Sequence, residues 1–177
     1  MINYCWNTRL LTILGSAVLG LIPSFVVDAA NPESVTVDMD FLDPVTITEN
    51  NPLQFGLLDV AMGNNEKITI APDSSVTDTK DNILGGTQAA ASLTVTATAS
   101  QSISIVVDNV STANGYSLGN WECNYNNAAS DTACDGSGYS ETSVASATLL
   151  IGATLTANGN ATVGVDNSSF DVTVSYQ

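Results

Sequence analysis

An antiparallel β-sandwich with Ig-like or Greek-key connections is the fold class that this chain of 177 residues predicts. Three observations carry it. β-branched residues alternate with Thr, Ser and Asp at a spacing of two in one segment after another. Gly, Asn, Asp and Pro punctuate the chain between those segments at short intervals. No stretch beyond residue 30 carries a helical stripe of apolar residues. Strands with an apolar face and a hydroxyl-bearing face bury their apolar sides against each other, which takes two sheets. The segments amount to about eight to ten strands, and no repeat of fixed period points to a solenoid or propeller.

Residues 1–29 stand apart from that fold. Arg9 precedes an apolar run from Leu10 to Val27 that contains Gly15, Gly20 and Pro23. Val27-Asp28-Ala29 closes it with the small-residue pattern of a cleavage site. This is the layout of a secretory signal peptide, with cleavage expected after Ala29 and residues 30–177 left as one domain. The run approaches the length of a membrane anchor, but its glycines, its proline and the cleavage pattern favour removal. Cys5 comes too early to be a lipoprotein cysteine, which follows the apolar run.

The first alternating segment runs from Ser34 to Phe41. Val35, Val37, Met39 and Phe41 share one face, and Thr36, Asp38 and Asp40 share the other. After Pro44 the pattern resumes with Val45 and Ile47. Leu53–Leu58 and Lys67–Ile70 are the next candidate strands. Asp73–Gly86 is rich in turn residues and charge, and is expected as a loop with at most one short strand. Ser92–Thr98 and Ser102–Asp108 form a candidate antiparallel hairpin around Ala99-Ser100-Gln101. Asn109–Gly138 is expected to be the longest irregular region. Ala147–Leu155, Thr162–Val165 and Phe170–Gln177 complete the set, the last with Phe170, Val172, Val174 and Tyr176 on one face.

Once Cys5 has left with the leader, Cys123 and Cys134 remain, and a pair of cysteines in an exported chain most simply forms one disulfide. The residues between them are small and polar, as a loop requires. Closing so short a ring is worth about 3 kcal/mol in the chain-entropy model. Two thiols without a single His are too few soft ligands for a metal centre.

Charge and composition exclude several functions. The chain has 3 Lys plus Arg against 18 Asp plus Glu, a net charge of −15 and no His. Nucleic acid is excluded because its phosphates need basic partners, and anionic lipid for the same reason. The absence of His removes the Ser-His-Asp triad and His-ligated zinc. A hydrophobic content of 44% with only 12% charged residues indicates a folded core rather than an acidic disordered tail.

Lys67 is expected to face solvent, and Lys80 to be a local charge partner of Asp78 and Asp81. Neither stands in an Ser-x-x-Lys motif. Paired carboxylates of a glycosidase type lack a cleft in a narrow sandwich. No catalytic residue, cofactor or metal ligand is therefore assigned. The acidic loops at Asp73, Asp78 and Asp81 and at Asp131 and Asp135 lack the spacing of a calcium loop, and are expected to serve solubility. Asn109, Asn160 and Asn167 head formal glycosylation sequons that arise readily in a chain rich in Asn, Ser and Thr.

Two stretches carry a resemblance. One is Pro44-Val45-Thr46-Ile47-Thr48 with Leu53-Gln54-Phe55-Gly56. The other is Ile151-Gly152-Ala153-Thr154-Leu155-Thr156, followed by Gly164 and Phe170–Gln177. Together they resemble a family of exported bacterial domains of unknown function, itself similar to spore coat protein U and to chaperone–usher fimbrial subunits. Gly164-Val165 stands where Gly-Tyr is expected, and the cysteine spacing differs from that of the spore coat relatives. The resemblance implies a pilin-like sandwich in the periplasm, on the cell surface or outside a Gram-negative bacterium. It implies homologous subunits, or copies of the chain itself, as partners, together with a periplasmic chaperone and an usher. It supplies no catalytic residue.

In strand complementation a donated alternating strand completes the sheet of a neighbour. Val35, Val37, Met39 and Phe41 suit either such a donor or the first strand of the chain's own sandwich. The expected function is a non-enzymatic structural or adhesive surface subunit. A monomeric secreted module binding carbohydrate or Ca²⁺ is the alternative, with Trp121, Tyr116, Tyr125 and Tyr139 as stacking candidates. Aromatics beside a disulfide more often serve as core or loop anchors.

Overall fold

The computed structural model describes residues 34–112, 115–166 and 168–177. The expected leader, with Cys5, lies outside them. The chain divides into two units, Met1–Met39 and Asp40–Gln177. In the first, residues 34–39 carry no strand, and Val35, Val37 and Met39 are exposed. The strands found among the described residues lie in the second.

They are β1 (Thr46–Asn51), β2 (Leu57–Leu58), β3 (Lys67–Ile70), β4 (Val76–Asp78), β5 (Ile83–Gly85) and β6 (Ala91–Thr96), then β7 (Ser102–Ser111), β8 (Tyr116–Tyr125), β9 (Thr132–Ala133), β10 (Tyr139–Thr142), β11 (Ser146–Ala157) and β12 (Ser169–Tyr176). No helix occurs among the described residues, and the fold is all-β with antiparallel sheets. The strand count exceeds the expected eight to ten because several pieces are only two or three residues long.

β11 is the axis of the larger sheet. Its first half pairs with β6, as far as Ile151↔Ala91, and β6 in turn carries β1. From Ala153↔Ile70 onward it pairs with β3, which carries β4. β8 lies along the other side of β11, with β9 beyond it. The change of neighbour falls at Gly152. A Cβ there would collide with the Ile70 carbonyl oxygen and lie 2.7 Å from the Ala71 carbonyl carbon. Glycine is required because the departing β3 backbone crosses directly over this position.

The smaller sheet is β10-β7-β12, and β2 and β5 form a minor two-stranded sheet. Alternation decides which side chains meet between the sheets. Val95 of β6 and Leu149 and Ile151 of β11 join Ile103, Ile105 and Val107 of β7 and Val174 of β12 in one buried cluster. A second cluster of Met62, Ile68, Leu155 and Ala157 packs against Leu58 of β2 and Ile83 of β5.

Several sequence expectations are corrected. β6 and β7 are not a hairpin: β6 pairs with β1 and β11, while β7 pairs with β10 and β12. The link between them crosses from one sheet to the other. Ser143 fastens it, donating from Oγ to the Thr98 carbonyl at 2.5 Å and accepting the Gln101 N–H at 3.0 Å. Tertiary bonds thus override the local signal of a three-residue turn.

The region expected to be irregular over 109–138 contains β8, the ten-residue partner of β11. Leu53–Leu58 contributes only β2 and an isolated bridge from Gln54 to Ala89. Asp73–Gly86 holds two short strands, β4 and β5, rather than one. Thr162–Val165 forms no strand, and Val163 and Val165 are exposed. Alternation over four residues is too weak a signal without a neighbouring edge to pair with.

Candidate functional site

Two places on the molecule leave chemistry unspent. The first is the alternating run. Val35, Val37, Met39 and Phe41 are 85%, 74%, 70% and 88% exposed, and residues 34–45 carry no strand. Isolated exposed apolar residues are ordinary on a protein surface, whereas a row of four at period two is not.

The sandwich takes hold of the chain at Asp43. Its N–H donates to Thr98 Oγ1 at 2.7 Å, and its carbonyl accepts the Tyr176 hydroxyl at 2.7 Å. The same hydroxyl accepts the Thr98 N–H at 2.7 Å. Tyr176, the last residue of β12, thus ties the entry of β1 and the β6–β7 crossover together.

β12 pairs with β7 alone, so its other side is an open edge among the described residues. Of its inward row, Val174 is buried while Phe170, Val172 and Tyr176 are only partly so. Phe170 packs on Trp121 with ring centroids 4.6 Å apart and planes at 42°, the tilted arrangement that aromatic pairs favour.

The second place is a bulge in β8. Glu122 stands opposite Gly152 and Gly119 opposite Thr154, so β8 carries an extra residue there. Asn120 relieves the bulge in the left-handed region at φ 48°. Asn120, Trp121, Glu122, Ala133, Asp135, Thr69 and Thr154 line a shallow recess of about 360 Å³. Thr69 Oγ1 and Thr154 Oγ1 bond each other at 2.9 Å.

The disulfide Cys123–Cys134 borders this recess, with an S–S length of 2.03 Å and Cα atoms 5.8 Å apart. Both cysteines are buried. The loop it closes turns at Asn126 and Asn127, both at positive φ, with Ala128 N–H donating to the Tyr125 carbonyl at 3.1 Å. Asn tolerates that conformation at two consecutive positions better than most residues. The far end reaches the opposite sheet: Val107 N–H donates to the Cys134 carbonyl at 2.8 Å. The disulfide therefore fastens β8 of one sheet beside β7 of the other.

The remaining candidates are placed as follows. Trp121 and Tyr125 are core residues, 3% exposed each, which removes their faces as sugar platforms. Tyr116 and Tyr139 are partly buried. Burial pushes the Tyr139 hydroxyl well above the usual tyrosine range, with Glu141 adding to the effect. Burial also raises Tyr116, against the Ser168 hydrogen bond that lowers it, with Asp166 adding to the rise.

Lys67 and Lys80 are exposed. Asp78 is held by its own loop rather than by the Lys80 ammonium. Its carboxylate accepts the Lys80 N–H at 3.0 Å and the Ile83 N–H at 2.9 Å. Partial burial pushes its pKa up, but these N–H donors and Asn82 outweigh it and hold the carboxyl below its ordinary value. Ser75 lowers Asp73 in the same way through its own hydrogen bonds.

No group of three or more His, Cys, Asp or Glu that would hold a metal ion occurs among the described residues. No helix among them is long and apolar enough to cross a membrane. The recess is not legible in the sequence because Gly119-Asn120 interrupts the alternation of β8, and the Tyr176 tie is not because its partners Thr98 and Asp43 are 78 and 133 positions away. The three residues Trp121, Cys123 and Tyr125, alternating with Glu122 and Asn124, were the signal.

The class of protein is an antiparallel β-sandwich, with no helix among the described residues, fastened by the Cys123–Cys134 disulfide and preceded by an alternating run that forms no strand from residue 34 on. The chain belongs to the family described as Domain of unknown function (DUF4402), whose model matches residues 45–176. That match begins at Val45, beyond the alternating run. No curated protein and no solved structure matches the chain.

Proposed function

We propose that this protein is a non-enzymatic structural or adhesive surface subunit that is exported and assembles by strand complementation. The observation that supports it is the row Val35, Val37, Met39 and Phe41, exposed at 70–88% and formed into no strand. A segment of this kind gains on docking what a strand inside a sheet already has: paired backbone groups and a buried apolar face. Its partners are further copies or homologous subunits, with a periplasmic chaperone and an usher handling the subunit before assembly. The leader 1–29 directs it out of the cytoplasm of a Gram-negative cell, and no membrane insertion follows cleavage.

Light scattering on the exported, full-length product tests this. The expected result is concentration-dependent higher-order species for the natural chain and monomer for a V35D/V37D/M39D/F41D variant. A natural chain that stays monomeric at every concentration overturns the reading.

A second reading, a monomeric binding module for carbohydrate or Ca²⁺, has one feature in its favour. The side chains of Asn120, Glu122 and Asp135 line the recess and have no hydrogen-bond partner among the described residues. The burial of Trp121 and Tyr125 weighs against sugar stacking. Calorimetric titration with Ca²⁺ and with glycans separates this reading from the first.

A further inference from the structure

We infer that Asn158, just beyond the end of β11, is a site of self-modification where the side-chain amide leaves as ammonia and the chain gains a carboxylate; this inference stands apart from the assembly reading above. The same four residues occur twice in the chain, as Thr112-Ala113-Asn114-Gly115 ahead of β8 and as Thr156-Ala157-Asn158-Gly159 at the close of β11. Asparagine ahead of glycine is the pairing most prone to this loss, because glycine places no side chain beside its own amide nitrogen. By preceding sequence the two pairs are alike, and the fold separates them.

β8 and β11 are antiparallel, with Ala157 opposite Tyr116, so Gly115 and Asn158 meet at one end of the sheet. Gly115 is held there. Its carbonyl accepts the Asn158 N–H at 2.8 Å, and a Cβ on it would lie 2.5 Å from the Asn160 carbonyl carbon and 2.7 Å from the Ala161 α-carbon. Gly159 is free by comparison. It is exposed, as is Asn158, and its N–H has no hydrogen-bond partner among the described residues. A Cβ there would come no nearer than 3.5 Å to any atom beyond its chain neighbours.

The Asn158 side chain is already turned along the main chain that follows it. Its Oδ1 accepts the Asn160 N–H at 3.1 Å, and Asn160 Nδ2 donates to the Asn158 carbonyl at 3.3 Å, so two bonds bracket Gly159. The Gly159 nitrogen gives its proton to solvent base and attacks Asn158 Cγ. A bond forms between that nitrogen and Cγ, and negative charge develops on Oδ1, where the Asn160 N–H stabilises it. The Cγ–Nδ2 bond then breaks, and Nδ2 takes a proton from water and leaves as ammonia. Water opens the five-membered imide that remains. Opening at Cγ gives aspartate, and opening at the main-chain carbonyl of residue 158 gives isoaspartate.

Peptide mapping by mass spectrometry reads both Asn-Gly pairs in one sample of the full-length exported chain. The chain is aged in mildly alkaline buffer, folded in one arm and unfolded in urea in the other. In the folded arm, Asn158 is expected to convert about tenfold faster than Asn114, the scale on which holding a reacting group in place alters a rate. Aspartate and isoaspartate should both appear at 158, the second read by isoaspartate methyltransferase labelling. In urea the difference should vanish, because each pair then has only its local sequence. N158Q, whose imide would need a six-membered ring, should stop conversion at 158 and leave the rate at Asn114 unchanged.

A folded chain that keeps its amide at Asn158, or loses the one at Asn114 as fast, overturns the inference. A preference for Asn158 that is as large in urea as in the folded chain overturns the part assigned to the fold. Neither outcome depends on whether the protein assembles.

Discussion

Gly152 shows how one residue serves two strands. β11 exchanges β6 for β3 at this position, and the backbone from Ile70 to Pro72 passes against its α-carbon. Gly152→Ala forces that backbone outward, and overpacking of this kind costs about 1–3 kcal/mol. Urea unfolding should show the midpoint falling with an unchanged slope. A variant as stable as the natural chain would mean that β3 yields freely. Asp78 gives a residue-scale test in pH. Its folded-state pKa lies below 3.8, so its hydrogen bonds stabilise the ionised form. That contribution is fully present above the unfolded value and disappears as pH falls through the lower folded value. The stability gap between the natural chain and Asp78→Asn should stay constant from pH 8 to about 5 and shrink below about 4. Denaturation at a series of pH values measures it, and a gap that grows on acidification would reverse the sign.

At the scale of elements, the disulfide and β8 act as a unit. Cys123 lies within β8, and Cys134 reaches β7 through the Val107 N–H. The sequence separation is 11 residues, so the loop is short and the entropic gain moderate. Replacing both cysteines with Ala should lower stability by about 2–4 kcal/mol. Thermal unfolding with and without reductant checks this, and the natural chain should soften under reductant while the variant does not respond. β8 also shows where element reading fails. Trp121, Cys123 and Tyr125 alternate correctly, but Gly119 and Asn120 insert a bulge that shifts the register by one, and a strand signal of period two does not survive such a slip. The opposite failure is Thr162–Val165, where alternation is present and no strand forms. Pattern proposes a strand, and a partner edge disposes.

For the whole molecule the dominant quantity is a net charge of −15. Like charges spread over one small sandwich repel, and bringing copies together adds to that repulsion. Raising the ionic strength from about 0.01 M to 0.15 M shortens the screening length from about 30 Å to about 8 Å. The melting temperature should therefore rise with NaCl over that range, and the assembled fraction should rise with it. Differential scanning calorimetry and light scattering on the same samples follow both, and a melting temperature that falls with salt would contradict the charge argument. Part of the same surplus of carboxylates lies within the apolar run Val35–Phe41, where Asp38 and Asp40 stand between its side chains and favour its solubility.

The sequence alone determined the all-β class, the pairing of Cys123 with Cys134 and the inner faces of β6, β7 and β12, because each depends on alternation or composition within a few neighbouring residues. Tertiary structure alone decided that β6 and β7 belong to different sheets, that β8 exists across its bulge, that Trp121 and Tyr125 lie in the core, and that Tyr176 ties down Asp43 and Thr98. Those outcomes depend on which distant strand edge competes best for the same backbone hydrogen bonds, and no local pattern encodes that competition.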